Sequence, residues 1–401
     1  MHYKNLNSNL EANLSYLSLL DEDAKLHIDK FSKYLQKYIK SKNYFISFEE
    51  WMDKVLYTPN LGYYDSKNLR IHNYLNDKNY LSDYITAPEI DNIFAQTLSI
   101  QIEQILQECK TFNILEIGAG NGSLAYEIIK FFQNKNILVR YFIIDISNSL
   151  IKQQKKLLNN FSNQIEWLIN PPKDFVGCVI ANELLDAMPI SIFKSSNNNI
   201  MQLGVTLNNE EEFIWAEEKV NIKLSQKIQK RLSPINQYIY EINFRAENWI
   251  KNIVKWLRKG VVILIDYGFP RKEYYHPERL NGTLMCHIKH YAHTNPLIAP
   301  GEQDITAHID FTAIAENAIS TNLQIMGYTT QSHFLINSGI LNILSKTDIN
   351  DHKLYLKKTN AVKKFLSETD MGELFKVIAI GKDIELDLIG FANGNRKYSL
   401  F

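Results

Sequence analysis

The sequence predicts an α/β fold: a doubly wound, mainly parallel sheet ending in an antiparallel hairpin, with an N-terminal helical region and an inserted lid or substrate subdomain. Three observations carry this. Short apolar runs alternate with helical stretches between residues 112 and 181. The first run leads directly into Gly118, Gly120 and Gly122. Near the C-terminus, apolar runs at 375–380 and 385–391 flank a Gly-Lys-Asp turn.

The elements follow in order. From about residue 10 to 39, Leu17, Leu20, Ile28, Phe31 and Leu35 recur at helical spacing, which predicts amphipathic helices packed on the main body. A helix around Phe48, Trp51, Met52 and Leu56 then gives way to a long loop through Pro59, Gly62-Tyr63-Tyr64 and Thr86-Ala87-Pro88-Glu89. Loops this long inside a folded chain are often functional. Helical spacing resumes at Ile93, Phe94, Leu98, Ile102 and Ile105. Strands at 112–117, 139–144, 165–169 and 176–181 alternate with helices, and a fifth follows at 261–265. Apolar strands separated by helices indicate a parallel sheet covered on both faces.

Two interruptions leave from the C-terminal ends of strands, the edge where open α/β sheets bind ligands. The first, 190–250, holds hairpin strands at 190–193, 201–207 and 212–215 with Asn-rich turns. The second runs from 269 to 370. They read as a lid or substrate subdomain, or as stabilising decoration. The resulting division is 1–90 (helices and aromatic loop), 91–189 (ligand-binding core), 190–250 (insertion), 251–268 (core strand), 269–370 (second insertion) and 371–401 (terminal hairpin).

Composition narrows the function. Lys plus Arg and Asp plus Glu number 44 each, so net charge is zero, against a primary DNA- or RNA-binding role. Cys109, Cys178 and Cys286 lie far apart with no CxxC, against a disulfide framework or zinc knuckle. The first residues lack an apolar core and no stretch is apolar enough to span a bilayer, so a cytoplasmic protein without membrane insertion is expected.

The glycine loop Glu116-Ile117-Gly118-Ala119-Gly120-Asn121-Gly122 has rivals to weigh. A dinucleotide fingerprint needs glycine at 123, where Ser123 stands, and a P-loop needs Gly-Lys-Ser/Thr, which is absent. The glycines let a ligand approach the backbone, and the next helix aims free N–H groups at the same spot. An amino-acid carboxylate suits that place, Glu116 can meet an ammonium, and S-adenosylmethionine carries both. Asp145, ending the next strand, can accept both ribose hydroxyls or cap the following helix. Trp167 can stack on adenine or belong to the core. Asn170-Pro171-Pro172 precedes the fourth strand and reads as a turn.

The chain resembles the MidA-like S-adenosylmethionine-dependent methyltransferases, which include mitochondrial complex I assembly factors. The resemblance rests on Phe48-Glu49-Glu50-Trp51-Met52, Pro59-Asn60-Leu61-Gly62-Tyr63-Tyr64, Asp83-Tyr84-Ile85-Thr86-Ala87-Pro88-Glu89 and the glycine loop. It continues through Asn182-Glu183-Leu184-Leu185-Asp186-Ala187-Met188-Pro189, Asp266-Tyr267-Gly268, Asp304-Ile305-Thr306-Ala307-His308-Ile309-Asp310-Phe311 and Met371-Gly372-Glu373-Leu374-Phe375. Ser82 stands where the family usually has glycine, and Asp145 where it more often has glutamate.

The resemblance implies a class I methyltransferase fold, S-adenosyl-L-methionine as cofactor and a protein arginine acceptor, with a respiratory-complex subunit as one candidate. Methyl transfer needs a nucleophile held in line and shielded from water. Asn182, Glu183 and Asp186 are expected at the methyl, with Glu89 and Asp304 in reserve. Thr86, Pro88 and Glu89 are expected to close over the cofactor. Glu183 as a structural hydrogen-bonder and Asp186 as a helix cap are the competing readings. His287, His290, His293 and His308 lack standard zinc spacing, so no metal is expected. The 304–310 segment is placed in the lid. Rival functions are an assembly factor with structural cofactor, and a methyltransferase acting on a small molecule or RNA. The chain is expected as a monomer or homodimer.

Overall fold

A computed structural model describes residues 18, 20–65, 86–196, 199–232, 235–289 and 291–401. Helix α1 (Glu22–Ser41) starts at Asp21, whose carboxylate accepts from the Ala24 N–H. It buries Phe31, Leu35 and Ile39. Strand β1 (Ile46–Ser47) and helix α2 (Phe48–Tyr57) follow. After the undescribed residues 66–85 come α3 (Ala87–Ile90) and α4 (Ile93–Cys109). The resemblance at residues 82–85 lies outside the described residues.

The core then alternates as the periodicity predicts: β2 (Asn113–Ile117), α5 (Ser123–Asn134), β3 (Arg140–Ile144), α6 (Asn148–Leu157), β4 (Ile165–Leu168) and β5 (Phe175–Asn182). The first insertion carries β6 (Ser191–Ser196), β7 (Asn199–Leu207), β8 (Phe213–Lys219), α7 (Ile222–Arg231) and β9 (Ile239–Ile242). Helix α8 (Phe244–Ile253) leads into β10 (Leu257–Phe269). Helix α9 (Arg271–Tyr274) and strands β11 (Met285–Ile288), β12 (Tyr291–His293), β13 (Asp304–Thr306) and β14 (Ile309–Asp310) form the second insertion. Helix α10 (Phe311–Ile319), β15 (Gln324–Thr330), α11 (Gln331–Asn337), α12 (Ile340–Leu344), α13 (His352–Leu366), α14 (Met371–Leu374) and β16 (Phe375–Lys382) complete the chain's main elements.

The central sheet has the order β15-β16-β10-β5-β2-β3-β4. Strands β4, β3, β2, β5 and β10 run parallel to their neighbours, and β16 is antiparallel to both β10 and β15. Alternate residues feed two cores, one on each face: Ile114, Tyr141 and Ile263 on one side, Leu115, Phe142 and Leu264 on the other. This is why the strands read as unbroken apolar runs.

The sheet does end in an antiparallel pair, but β16 finds its partner in β15, not in residues 385–391. That last run forms no strand, and Ile389–Phe391 is a short 3-10 turn whose Phe391 packs on Phe334. Strand β15 escapes the pattern because Gly327 sits mid-strand at a bulge, and its buried end is polar, with Thr329 and Thr330 fully enclosed. The second insertion therefore ends near residue 310, and 311–370 belongs largely to the core.

The N-terminal region is also less separate than the sequence suggests. Strand β1 pairs with β7, extending a five-stranded antiparallel sheet with β6, β8 and β9. One apolar core joins Phe31, Trp51 and Leu56 to Ile192 and Val205 of the first insertion and Cys286 and Ile305 of the second. Trp51 donates from its indole to the Pro296 carbonyl at 3.1 Å. Three segments distant in sequence thus build one subdomain over the C-terminal edge of the central sheet. Among the described residues no helix is long and apolar enough to cross a membrane.

Candidate active site

A cavity of about 490 Å³ opens at that edge. Its floor is the end of β2 and the glycine loop. Gly118 and Gly120 both take left-handed φ (72° and 54°) and line it. A Cβ on Gly118 would stand 2.8 Å from Leu184 Cδ1, whereas one on Gly120 would meet no protein atom within 4 Å. Gly120 is therefore open to a ligand. Gly122, also left-handed at 88°, does not line the cavity; it starts α5 and packs against Gln154 and Leu158.

Glu116 lines the cavity and is buried, accepting from the Tyr141 hydroxyl at 2.7 Å. Burial raises its carboxyl to about 7, offset in part by the Tyr141 hydrogen bond. Asp145, ending β3, accepts from the Ser147 N–H at 3.0 Å and from the Gln154 amide at 2.8 Å. Burial raises its pKa too, against these donors. Its oxygens retain lone pairs for further donors. The helix-capping oxygen is that of Ser147, which accepts from the Leu150 N–H.

Trp167 is not at the cavity. Its indole N–H is spent on Gln154 Oε1 at 3.0 Å, behind Asp145, while exposed Ile146 lines the wall. Sequence reasoning missed Gln154, whose side chain faces inward from α6 with nothing in the local pattern to mark it.

The roof is α3. Its Glu89 accepts from the Thr86 N–H at 3.1 Å, and Asn121 of the glycine loop donates to the other Glu89 oxygen. Asn121 also accepts from the Ser123 N–H at 2.9 Å, so roof, loop and helix start are tied through one side chain. Thr86, Pro88 and Glu89 all line the cavity.

The far wall comes from β5 and the aromatic loop. Asn182 donates to Glu183 Oε1 at 2.9 Å; its own Oδ1 is buried without a partner among the described residues. Glu183 adopts φ 52°, unusual for a side chain this large, and its N–H is fixed by the Ile265 carbonyl at 2.8 Å. Burial raises its carboxyl to about 8, with the charges of Asp186 and Glu89 adding and Asn182 subtracting.

Asp186 is brought near Glu183 but not to the cavity surface. It lies behind the wall, accepts from the Tyr267 hydroxyl at 2.6 Å and is raised by burial to about 6. Nor does it cap a helix: residues 185–188 form a turn, capped by Asp266, which accepts from the Leu185 and Asp186 N–H groups. The geometry at Glu183 and Asp186 comes from this tight turn, which a linear motif does not reveal.

Tyr57, Tyr63 and Tyr64 complete the wall. Tyr57 stacks on Tyr64 at 5.5 Å and donates to the Ala187 carbonyl at 2.7 Å. Asp53, Arg245 and Trp249 lie at the same cavity, with Arg245 paired to Asp53 and Glu49. Asp304 does not line it; it accepts from the Tyr64 hydroxyl at 2.8 Å. The 304–310 segment therefore lies behind the wall and is no lid. His287 and His293 sit on β11 and β12, and His290 lies outside the described residues.

Among the described residues, five acids, Asp53, Glu89, Glu116, Asp145 and Glu183, line the cavity against one base, Arg245, which is paired to Asp53 and Glu49. Such a site favours cationic ligands. The residues fit S-adenosylmethionine on two counts: the open space at Gly120, and the buried Glu116 and partly buried Asp145 carboxylates on the two sides of the glycine loop.

Comparison with known proteins agrees. Residues 97–329 match the family of S-adenosyl-L-methionine-dependent methyltransferases. A crystal structure of a Burkholderia thailandensis protein bound to S-adenosyl-homocysteine is similar with a TM-score of 0.90 and 34% identity, covering 95% of this chain and 99% of that one. The mitochondrial protein arginine methyltransferase NDUFAF7 of Danio rerio is 25% identical over 84% of this chain and 83% of its own length. Its Homo sapiens counterpart is 25% identical over 81% and 77%. The chain belongs to the MidA-like family of S-adenosyl-L-methionine-dependent methyltransferases.

Proposed function

We propose that this enzyme methylates a guanidinium nitrogen of a protein arginine. The observation that carries it is the set of carboxylates on the cavity wall, with Glu183 oriented by Asn182 and Asp145 and Glu89 in the same lining. Glu183, at the end of β5, faces a cavity that also holds the carboxylates of Asp145 and Glu89, and the basic side chain lining it among the described residues, Arg245, is paired to Asp53 and Glu49. A guanidinium is always charged and pairs with carboxylates in planar fashion. The names of the NDUFAF7 relatives point to the same acceptor.

In this reading Glu116 takes the cofactor's ammonium, the N–H groups at the start of α5 take its carboxylate, and Asp145 takes the ribose hydroxyls. When bound, S-adenosylmethionine supplies an electrophilic methyl carbon on a sulfonium. Asn182 orients Glu183 through its amide, and α3, pinned by Asn121, keeps water from the reacting atoms. Forming the new N–C bond obliges the acceptor nitrogen to shed a proton, and Glu183 is the carboxylate placed to take it.

The test is transfer of a labelled methyl group into a lysate of the source organism, followed by mass spectrometry of the labelled species. Label on an arginine of a protein is the expected result. Label confined to lipid, RNA or a metabolite overturns the acceptor assignment.

A further inference from the structure

Helix α2 brings Asp53 and Tyr57, one turn apart, to the cavity, and helix α8 brings Arg245 and Trp249 to it at the same spacing. The Asp53 and Arg245 side chains are 32% and 42% exposed, so this part of the lining is where the cavity meets solvent. Glu183 is enclosed enough for burial to raise its carboxyl to about 8. Arg245 bridges two carboxylates of α2. Its Nε donates to Glu49 Oε1 at 3.0 Å and its Nη1 to Asp53 Oδ1. The grip is single at each acid: Arg245 Nη2 and Asp53 Oδ2 make no hydrogen bond among the described residues. Two parallel bonds are the strong geometry for a guanidinium on a carboxylate, and ion pairs this exposed contribute little to stability. Arg231, tied to Glu247 and Asp310 in the interior, is by contrast only 15% exposed.

The carboxylates are held in place by contacts that do not involve Arg245. Glu49 Oε2 accepts from the Ser191 hydroxyl at 2.6 Å. Ser47 caps the start of α2, and Tyr57 ties its end to the Ala187 carbonyl. Glu49 and Asp53 stand at i and i+4, where like charges repel, so this face of the helix is stabilised by whichever cation lies across it.

We propose that Asp53 recognises a second basic side chain of the acceptor, near the arginine that is methylated, and that Arg245 is its resting partner, released in the exchange. The inference rests on the acceptor's being a protein arginine: that guanidinium goes to Glu183, which leaves Asp53 for a neighbouring side chain. The exchange trades one cation for another, so the charge at the cavity mouth is the same before and after. The half-exposed Arg245 returns to solvent, and no ion is left buried and alone. An incoming guanidinium that takes both Asp53 oxygens replaces one bond by two. A neutral or acidic neighbour offers Asp53 nothing and leaves Arg245 in place. Asp53 and Arg245 together thus select acceptors by the charge beside the methylated residue.

The experiment is titration calorimetry on the full-length enzyme saturated with S-adenosyl-homocysteine. The probes are acetylated, amidated peptides with two arginines separated by zero to three alanines, and the same peptides with alanine for the second arginine. For at least one spacing, the second arginine should tighten binding to wild type by about fivefold, the upper end of what one exposed ion pair contributes. Asp53→Asn should remove that advantage. Arg245→Gln, which takes away the competitor, should enlarge it, and Arg245→Lys should stay near wild type. Adding Asp53→Asn to Arg245→Gln should cancel the gain. If Arg245→Gln does not fold, Asp53→Asn decides alone. Equal affinity of the two peptide sets for wild type, an advantage that survives Asp53→Asn, or a weaker hold on the two-arginine peptide in Arg245→Gln overturns the proposal. The acceptor reading fails separately, by methyl label that lands on lipid, RNA or a metabolite.

Discussion

The side-chain amide of Gln154 donates to Asp145 Oδ2 at 2.8 Å and, from the same nitrogen, to the Gly120 carbonyl at 2.9 Å. One buried residue on α6 therefore sets both the expected ribose carboxylate and the glycine loop. Its oxygen, in turn, holds Trp167 away from the cavity. Gln154→Leu should leave these buried groups unpartnered, at about 1–3 kcal/mol. Calorimetry with S-adenosyl-homocysteine should show an affinity loss of about tenfold, which corresponds to about 1.4 kcal/mol. Unchanged affinity would mean that Asp145 is held without it.

Gly120→Val separates space from strain. The substituted side chain meets no protein atom at its Cβ, so the fold has room for it. The left-handed φ costs about 1–2 kcal/mol for any residue with a Cβ. The variant should stay folded in a denaturant titration and lose cofactor binding, since Gly120 lines the cavity. Normal binding would place the cofactor elsewhere.

Glu183→Gln should bind the cofactor normally and lose turnover by about 10²–10⁴-fold. Glu183 accepts a proton only when ionised, and burial raises it to about 8. kcat/KM should therefore climb with pH, pass half its plateau near 8 and level off above that. The limb for kcat should lie lower, because bound cations favour the carboxylate. A profile flat from pH 6 to 9 would remove Glu183 as the base.

Stability should respond to the same charges. Glu116 and Glu183 have folded pKa values, about 7 and 8, above those of the unfolded chain. The folded state then binds more protons, so stability is full below the unfolded values and falls as pH rises through the folded ones. Below about pH 6.5 the buried His293 and His308, lowered to about 4, work in the opposite sense. The clean window is therefore pH 6.5 to 8. The ligand-free enzyme should lose Tm across it, and S-adenosylmethionine should raise Tm more at pH 8 than at 6.5. A Tm that rises with pH across this window in the ligand-free enzyme would contradict the burial of these acids.

The sequence by itself determined the parallel core. Strands β2, β3, β5 and β10 carry apolar side chains on both faces because helices cover both, and that strengthens the signal along each run. The glycine loop and the residues ending each strand were legible for a related reason: backbone conformation restricts residue type at turns, and the chain order of strand, loop and acid is itself information. Strand β15 was not legible, since Gly327 and two buried threonines erase the apolar run. What only the tertiary structure decided is which of these residues meet. Trp167 faces Gln154, not the cavity; Asp186 stands behind Glu183; and the 304–310 segment lies beneath the turn at 185–188. Those placements depend on contacts between chain segments tens to hundreds of residues apart. Local periodicity carries no record of such distances, and packing three remote segments into one core over the sheet edge fixes them.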